Sequence, residues 1–114
     1  MARKVLVADD DVDVREAVLD VLEEAGYVVE VAANGRDALD RLKRGHPDAL
    51  VVDSSLREET AFTILRACDQ TAALLVTSGE DPPDWAQCPV LRKPFAGTAL
   101  LEALARAIRE RTVR

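Results

Sequence analysis

KVLVADDDVD, residues 4–13, runs from an aliphatic stretch into three consecutive carboxylates, Asp9, Asp10 and Asp11, and its reading decides the fold. Lys4 to Ala8 has the length and composition of a short buried strand. Beyond the acids, Val14, Ala17, Val18, Val21, Leu22 and Ala25 recur at steps of three and four, the stripe of an amphipathic helix. A strand that runs straight into a helix is the unit from which α/β domains are built. The acids at the junction need an explanation of their own. Two carboxylates held about 4–5 Å apart repel by roughly 3–4 kcal/mol at an effective dielectric of about 20. Full solvation removes that cost, and a bound cation offsets it.

The same unit repeats along the chain. Gly26 is placed to end the first helix, and Tyr27 to Val31 reads as a second strand. Asn34 caps a second helix whose apolar stripe is Ala38, Leu39 and Leu42, and Gly45-His46-Pro47 stops it before a third strand, Ala49 to Val52, that runs out at Asp53. A helix from about Thr60 to Cys68 carries Phe62, Leu65 and Ile64 inward, and Ala73 to Thr77 is a fourth strand ending at Ser78-Gly79. The stretch GEDPPDWAQCP that follows holds three prolines and has room for one or two helical turns at most. Val90 to Arg92 makes a short fifth strand that ends in Lys93-Pro94, and Leu100, Leu101, Leu104, Ala105 and Ile108 define a last helix. Connections of this length between strands and helices suit a parallel sheet.

Composition narrows the function. At 114 residues the chain fits one domain, 1–114, able to fold without disulfides or metals. A net charge of -6 argues against sequence-independent nucleic-acid binding, and an aromatic fraction of 4% leaves little for stacking bases. Arg106, Arg109, Arg111 and Arg114 make the C-terminal end basic, which also complements a helix macrodipole. No secretory or membrane-length apolar stretch is present, so a cytoplasmic protein with no membrane partner is expected. Cys68 and Cys88 have no CxxC partner or neighbouring His and read as reduced, buried thiols. His46, the only histidine, sits in a turn and is given no chemical role.

In an open α/β sheet the functional crevice lies outside the carboxyl ends of the strands. Here the first strand ends in Asp9-Asp10, the third in Asp53, the fourth in Ser78 and the fifth in Lys93, and right-handed crossovers bring those ends to one edge. Adjacent acids plus a third from another strand suit a hard cation such as Mg²⁺, which takes oxygen ligands and bridges to phosphate. Phosphoryl transfer needs positioning and charge stabilisation around a nucleophile, and Asp53 is the acid best placed for that role. Asp11 reads instead as the cap of the first helix, with Asp13 and Glu16 near its positive pole.

With V-A-D-D-D near the start, N-G-R-D-A-L in the second helix, D-A-L-V-V-D in the middle, T-S-G after the fourth strand and K-P-F before the last helix, the chain resembles a response regulator receiver domain from about Lys4 to Ile108. The resemblance implies a flavodoxin-like, doubly wound five-stranded parallel sheet of order 2-1-3-4-5 with helices on both faces. It implies that Asp9, Asp10, Asp53 and the backbone carbonyl of Ser55 hold Mg²⁺. It also implies that Asp53 accepts a phosphoryl group from a histidine kinase or histidine phosphotransfer protein, that Lys93 pairs with that group, and that Ser78 supplies the switch hydroxyl. Lys93-Pro94 is then a cis peptide. Such a domain is not an enzyme in the ordinary sense. It catalyses its own phosphorylation and dephosphorylation and changes its binding to a downstream protein.

The chain departs from the family pattern at named positions. The proline four residues and the glycine eight residues after the phosphoacceptor are Arg57 and Ala61, and if that glycine has φ > 0 the loop is altered. The aromatic three residues before the lysine is Val90. The segment between Ser78 and Lys93 is short, so the helix between the fourth and fifth strands is expected to be truncated or missing, with Trp85 as a lid over the core or an anchor for a partner. These departures keep a second function open, a receiver-like module that binds its partner constitutively. Ser55 and Glu80 stand where the family tunes phosphoryl lifetime. A metal-dependent phosphatase would want Asp-x-Asp followed by Gly-Thr, with a cap domain for which this chain has no room.

Overall fold

The computed structural model describes residues 2–56, 61–67, 71–77 and 87–113. Five strands, β1 (Lys4–Ala8), β2 (Val28–Ala32), β3 (Ala49–Asp53), β4 (Ala72–Thr77) and β5 (Val90–Arg92), form one sheet in the order β2-β1-β3-β4-β5. Every pairing is parallel. Helices α1 (Val12–Glu24), α2 (Gly35–Gly45), α3 (Ala61–Arg66) and α4 (Gly97–Val113) complete the described elements, and the expected flavodoxin-like architecture holds. Residues 78–86, where a truncated or missing helix was expected, lie outside the described residues, as do Trp85, Glu80, Arg57 and Cys68.

Because successive strand residues face opposite sides, the aliphatic runs divide into two cores. Val5, Val7, Val51, Leu74 and Val76 pack against Val18 and Leu22 of α1 and Leu100, Leu104 and Ile108 of α4. Leu6, Ala8, Leu50, Val52 and Leu75 pack on the other face against Ala38 and Leu42 of α2 and Ile64 of α3. Burial on both faces explains why β1, β3 and β4 read as continuous apolar runs rather than alternating ones. α4 approaches α1 closely at its first residue, where a Cβ on Gly97 would sit 3.3 Å from Val21 Cγ2.

Two local expectations change. α3 buries Ile64 and packs Leu65 against the same core as expected, but Ala61 is buried in place of Phe62, which is 39% exposed. Ala61 brings the start of α3 close to the sheet, and the outward Phe62 ring lies 5.5 Å from the Arg66 guanidinium, a cation–π contact that tolerates water. Ala61 is the first residue of α3, and the loop before it, 57–60, lies outside the described residues. In α1, Val18 and Leu22 form the buried stripe, whereas Ala17 and Ala25 at its flanks are exposed. Gly26 ends α1 at φ 99, as read from the sequence, and α2 stops at the expected Gly45-His46-Pro47, with His46 as its left-handed cap at φ 46.

Candidate metal and phosphoryl-acceptor site

Asp11 belongs to the helix. Its extended backbone, φ -90 and ψ 114, makes it the N-cap of α1, and its Oδ1 accepts from the N–H groups of Asp13 at 2.9 Å and Val14 at 3.4 Å. Asp9 lies one residue past the end of β1, is 4% exposed, and donates its N–H to the Ala32 carbonyl at 3.2 Å. The Asp9 Oδ1 accepts the Asp11 N–H at 2.9 Å. Asp10, between them, is exposed. The acidic run therefore splits into a buried carboxylate, an exposed one and a cap.

Two other strands bring the remaining charges. Asp53 is the last residue of β3, paired in register with Val76, and is 3% exposed. The next N–H, from Ser54, donates to the Val76 carbonyl at 2.8 Å and holds the turn against β4. Lys93 follows β5 directly and donates its N–H to the Thr77 carbonyl at 2.8 Å, and the peptide to Pro94 is cis as expected. Its ammonium reaches both buried acids, 3.3 Å from Asp9 Oδ2 and 3.5 Å from Asp53 Oδ2. Asp9, Asp10 and Asp53 each offer a carboxylate oxygen, all within 4.8 Å of one another.

These distances allow an electrostatic balance. Lys93 gains about 5 kcal/mol from each acid at an effective dielectric of about 20, so about 10 in all. Three mutual repulsions over about 4.8 Å cost roughly 3.5 kcal/mol each, also about 10 together. Desolvation of the two buried acids adds to the cost of holding them together. The two buried carboxylates share one ammonium, which leaves this pair with an excess of negative charge that a bound cation would offset. Asp9 registers this: burial pushes its carboxyl above the ordinary 3.8, the Asp11 N–H pulls it back, and the Asp53 charge adds to the rise while Lys93 opposes it. An all-oxygen set of three clustered carboxylates fits a hard divalent ion.

Of the residues singled out from sequence, Asp9, Asp10, Asp53 and Lys93 come together, and Ser55 lies in the adjoining turn. Ser78 lies outside the described residues; Thr77 before it is buried. Two contacts escaped the sequence reading. The Ser55 hydroxyl donates to Asp53 Oδ2 at 2.8 Å, a bond foreshadowed only by a serine two residues beyond a strand-end acid. The Arg15 guanidinium donates from Nη1 to the Asp9 carbonyl at 3.0 Å. The available signal for Arg15 was a cation near the start of a helix, where it opposes the macrodipole. Cys88 is a half-buried free thiol whose pKa burial pushes up, consistent with a packing role.

Comparison with known proteins adds an independent line. Residues 5–105 match the family model of the response regulator receiver domain. The proteins called response regulator MprA from Mycolicibacterium vanbaalenii and Mycobacterium tuberculosis are each 35% identical over 98% of this chain, which covers 52% and 53% of their lengths. The chain thus spans about half the length of these curated relatives. Among solved structures, the chemotaxis response regulator CheY4 of Vibrio cholerae is similar with a TM-score of 0.85 at 29% identity, covering 94% of this chain and 99% of that one. A CheY-like receiver domain protein from Methanospirillum hungatei shares the fold, with a TM-score of 0.88 at 20% identity over 98% of each chain.

Proposed function

The chain belongs to the response regulator receiver domain family of two-component signalling, and on that premise we propose that Asp53 is its phosphoacceptor, loaded by a histidine kinase or histidine phosphotransfer protein. The observation that carries the reading is Lys93 Nζ lying between Asp9 and Asp53, 3.3 and 3.5 Å from one oxygen of each, at an edge where three carboxylates meet.

In the reaction a carboxylate oxygen of Asp53 attacks the phosphorus of a phosphohistidine. The new P–O bond forms as the P–N bond breaks, and the imidazole leaves with a proton at its nitrogen. Lys93 holds its positive charge beside the acyl phosphate that results, and the Ser55 hydroxyl orients the Asp53 carboxylate before attack. The Ser78 hydroxyl is assigned to the phosphoryl oxygens after transfer. Asp9, Asp10, Asp53 and the Ser55 carbonyl are the groups that would hold Mg²⁺. When bound, Mg²⁺ supplies charge neutralisation at the phosphoryl oxygens. Hydrolysis of the acyl phosphate by water returns the domain to its starting state, so the chain catalyses only its own modification.

The domain then acts through another protein, by a phosphorylation-dependent change in binding, and without direct contact with nucleic acid or membrane. Among the described residues no helix is long and apolar enough to cross a membrane; the cytoplasmic setting is proposed from the kinase partner alone. A phosphotransfer profile against a panel of purified, phosphorylated histidine kinases tests the reading. One kinase should lose its label to the wild-type chain quickly and should keep it when Asp53→Asn is supplied. Transfer that proceeds equally well to Asp53→Asn contradicts the assignment, and binding of the downstream protein that ignores phosphorylation points to the constitutive module instead.

A further inference from the structure

β1 ends at Ala8, whose partners in register are Ala32 on one side and Val52 on the other. Asp9, one residue past the last registered pair, still donates its N–H to the Ala32 carbonyl and is only 4% exposed. A buried carbonyl needs a donor, and the Arg15 guanidinium provides one at 3.0 Å by reaching back over the first turn of α1. The same residue donates its own N–H to the Asp11 carbonyl at 2.9 Å. Arg15 therefore grips the backbone on both sides of Asp10. The Asp11 N–H bond to Asp9 Oδ1 closes the arrangement, so the backbone that Arg15 fixes also aims the Asp9 carboxylate.

A cation this near a helix N-terminus is electrostatically unfavourable on its own. The consecutive acids offset that cost, and the guanidinium is partly buried against the loop they occupy. Its hydrogen bond goes to the backbone, while the Asp9 and Asp53 carboxylates share Lys93. From this geometry we infer that Arg15 is a positioning residue for the acid set: it fixes the Asp9 to Asp11 backbone so that the Asp9 and Asp10 carboxylates face Asp53, and thereby sets the affinity for a divalent cation. The inference rests on the metal reading proposed above. Residues that orient metal ligands in this way typically change affinity by about 10–100-fold when removed.

The test compares the ¹⁵N-labelled wild-type chain with Arg15→Met, which keeps an unbranched apolar stem, and Arg15→Lys, which restores a cation. Two readouts are taken: amide hydrogen exchange of Asp11 without metal, and Mg²⁺ affinity from chemical-shift titration. Arg15→Met should speed Asp11 exchange about tenfold and weaken Mg²⁺ about tenfold, with Val7 and Val51 amides as protected as before. Arg15→Lys should recover part of both. Unchanged Asp11 exchange in Arg15→Met overturns the inference, and so does faster exchange with unaltered Mg²⁺ affinity. A wild-type chain with no Mg²⁺ response refutes the metal reading itself and takes the inference with it, whereas a responsive wild type with an indistinguishable variant refutes the inference alone.

Discussion

Of the two buried acids at the sheet edge, Asp9 holds its proton more tightly than usual, because burial disfavours its charge and Asp53 faces it. Relative to an unfolded value near 3.8, the folded chain binds more protons as pH rises from there toward the raised folded value. The contribution of Asp9 to stability is therefore greatest in acid and is lost across that window. Asp9→Asn should stabilise the metal-free protein at neutral pH by roughly 1 kcal/mol, about 5 °C in Tm, and should flatten the pH dependence between weak acid and neutrality. Thermal melts of the two proteins in a chelator across that range check it, and a variant less stable at every pH would show that the Lys93 bond outweighs the repulsion. The residues of this site were legible in sequence because each ends a strand. Their individual partners were not: neither the Ser55 hydroxyl on Asp53 nor Arg15 on the Asp9 carbonyl follows from spacing, since both depend on how a turn folds back on itself.

At the level of elements, capping explains most boundaries. Asp11 and Asn34 start α1 and α2 by accepting N–H groups of the first turn, and both were readable as caps from residue type and position. The end of α2 was harder. Gly45-His46-Pro47 was read as the stop and it is, but which of its residues takes the left-handed position was not legible, and that residue is His46. An L-residue other than Asn or Asp in that region is strained. His46→Gly should raise stability by about 0.5–1 kcal/mol without altering Mg²⁺ affinity, as read from urea midpoints. A loss of stability would mean that the imidazole makes a compensating contact. In α3 only Phe62 was misplaced: apolar residues at 61, 62, 64 and 65 allow two helical faces, and only the packing partner selects the one bearing Ala61, Ile64 and Leu65.

Across the whole molecule, the sheet is a central layer with a core on each face, and its carboxyl edge collects the chemistry from β1, β3 and β5. The alternation of strands and helices was legible from the aliphatic runs and helical stripes, whereas the order β2-β1-β3-β4-β5 was expected from the resemblance to receiver domains. Neighbouring leucines sample the two cores: Leu74 packs with α1 and α4, Leu75 with α2 and α3, and both are fully buried. Leu74→Ala and Leu75→Ala should each cost about 2–5 kcal/mol in chemical denaturation, a large part of the stability of a domain this size. If only one is costly, one face is less fully covered than the fold requires. The central claim concerns the edge itself, and the most direct test is intact-mass analysis after incubation with acetyl phosphate or phosphoramidate. The account predicts that the wild-type chain gains a single phosphoryl group only when Mg²⁺ is present, and that Asp53→Asn gains none. Labelling that persists in Asp53→Asn, or a wild type that takes no phosphoryl group from either donor, would contradict it.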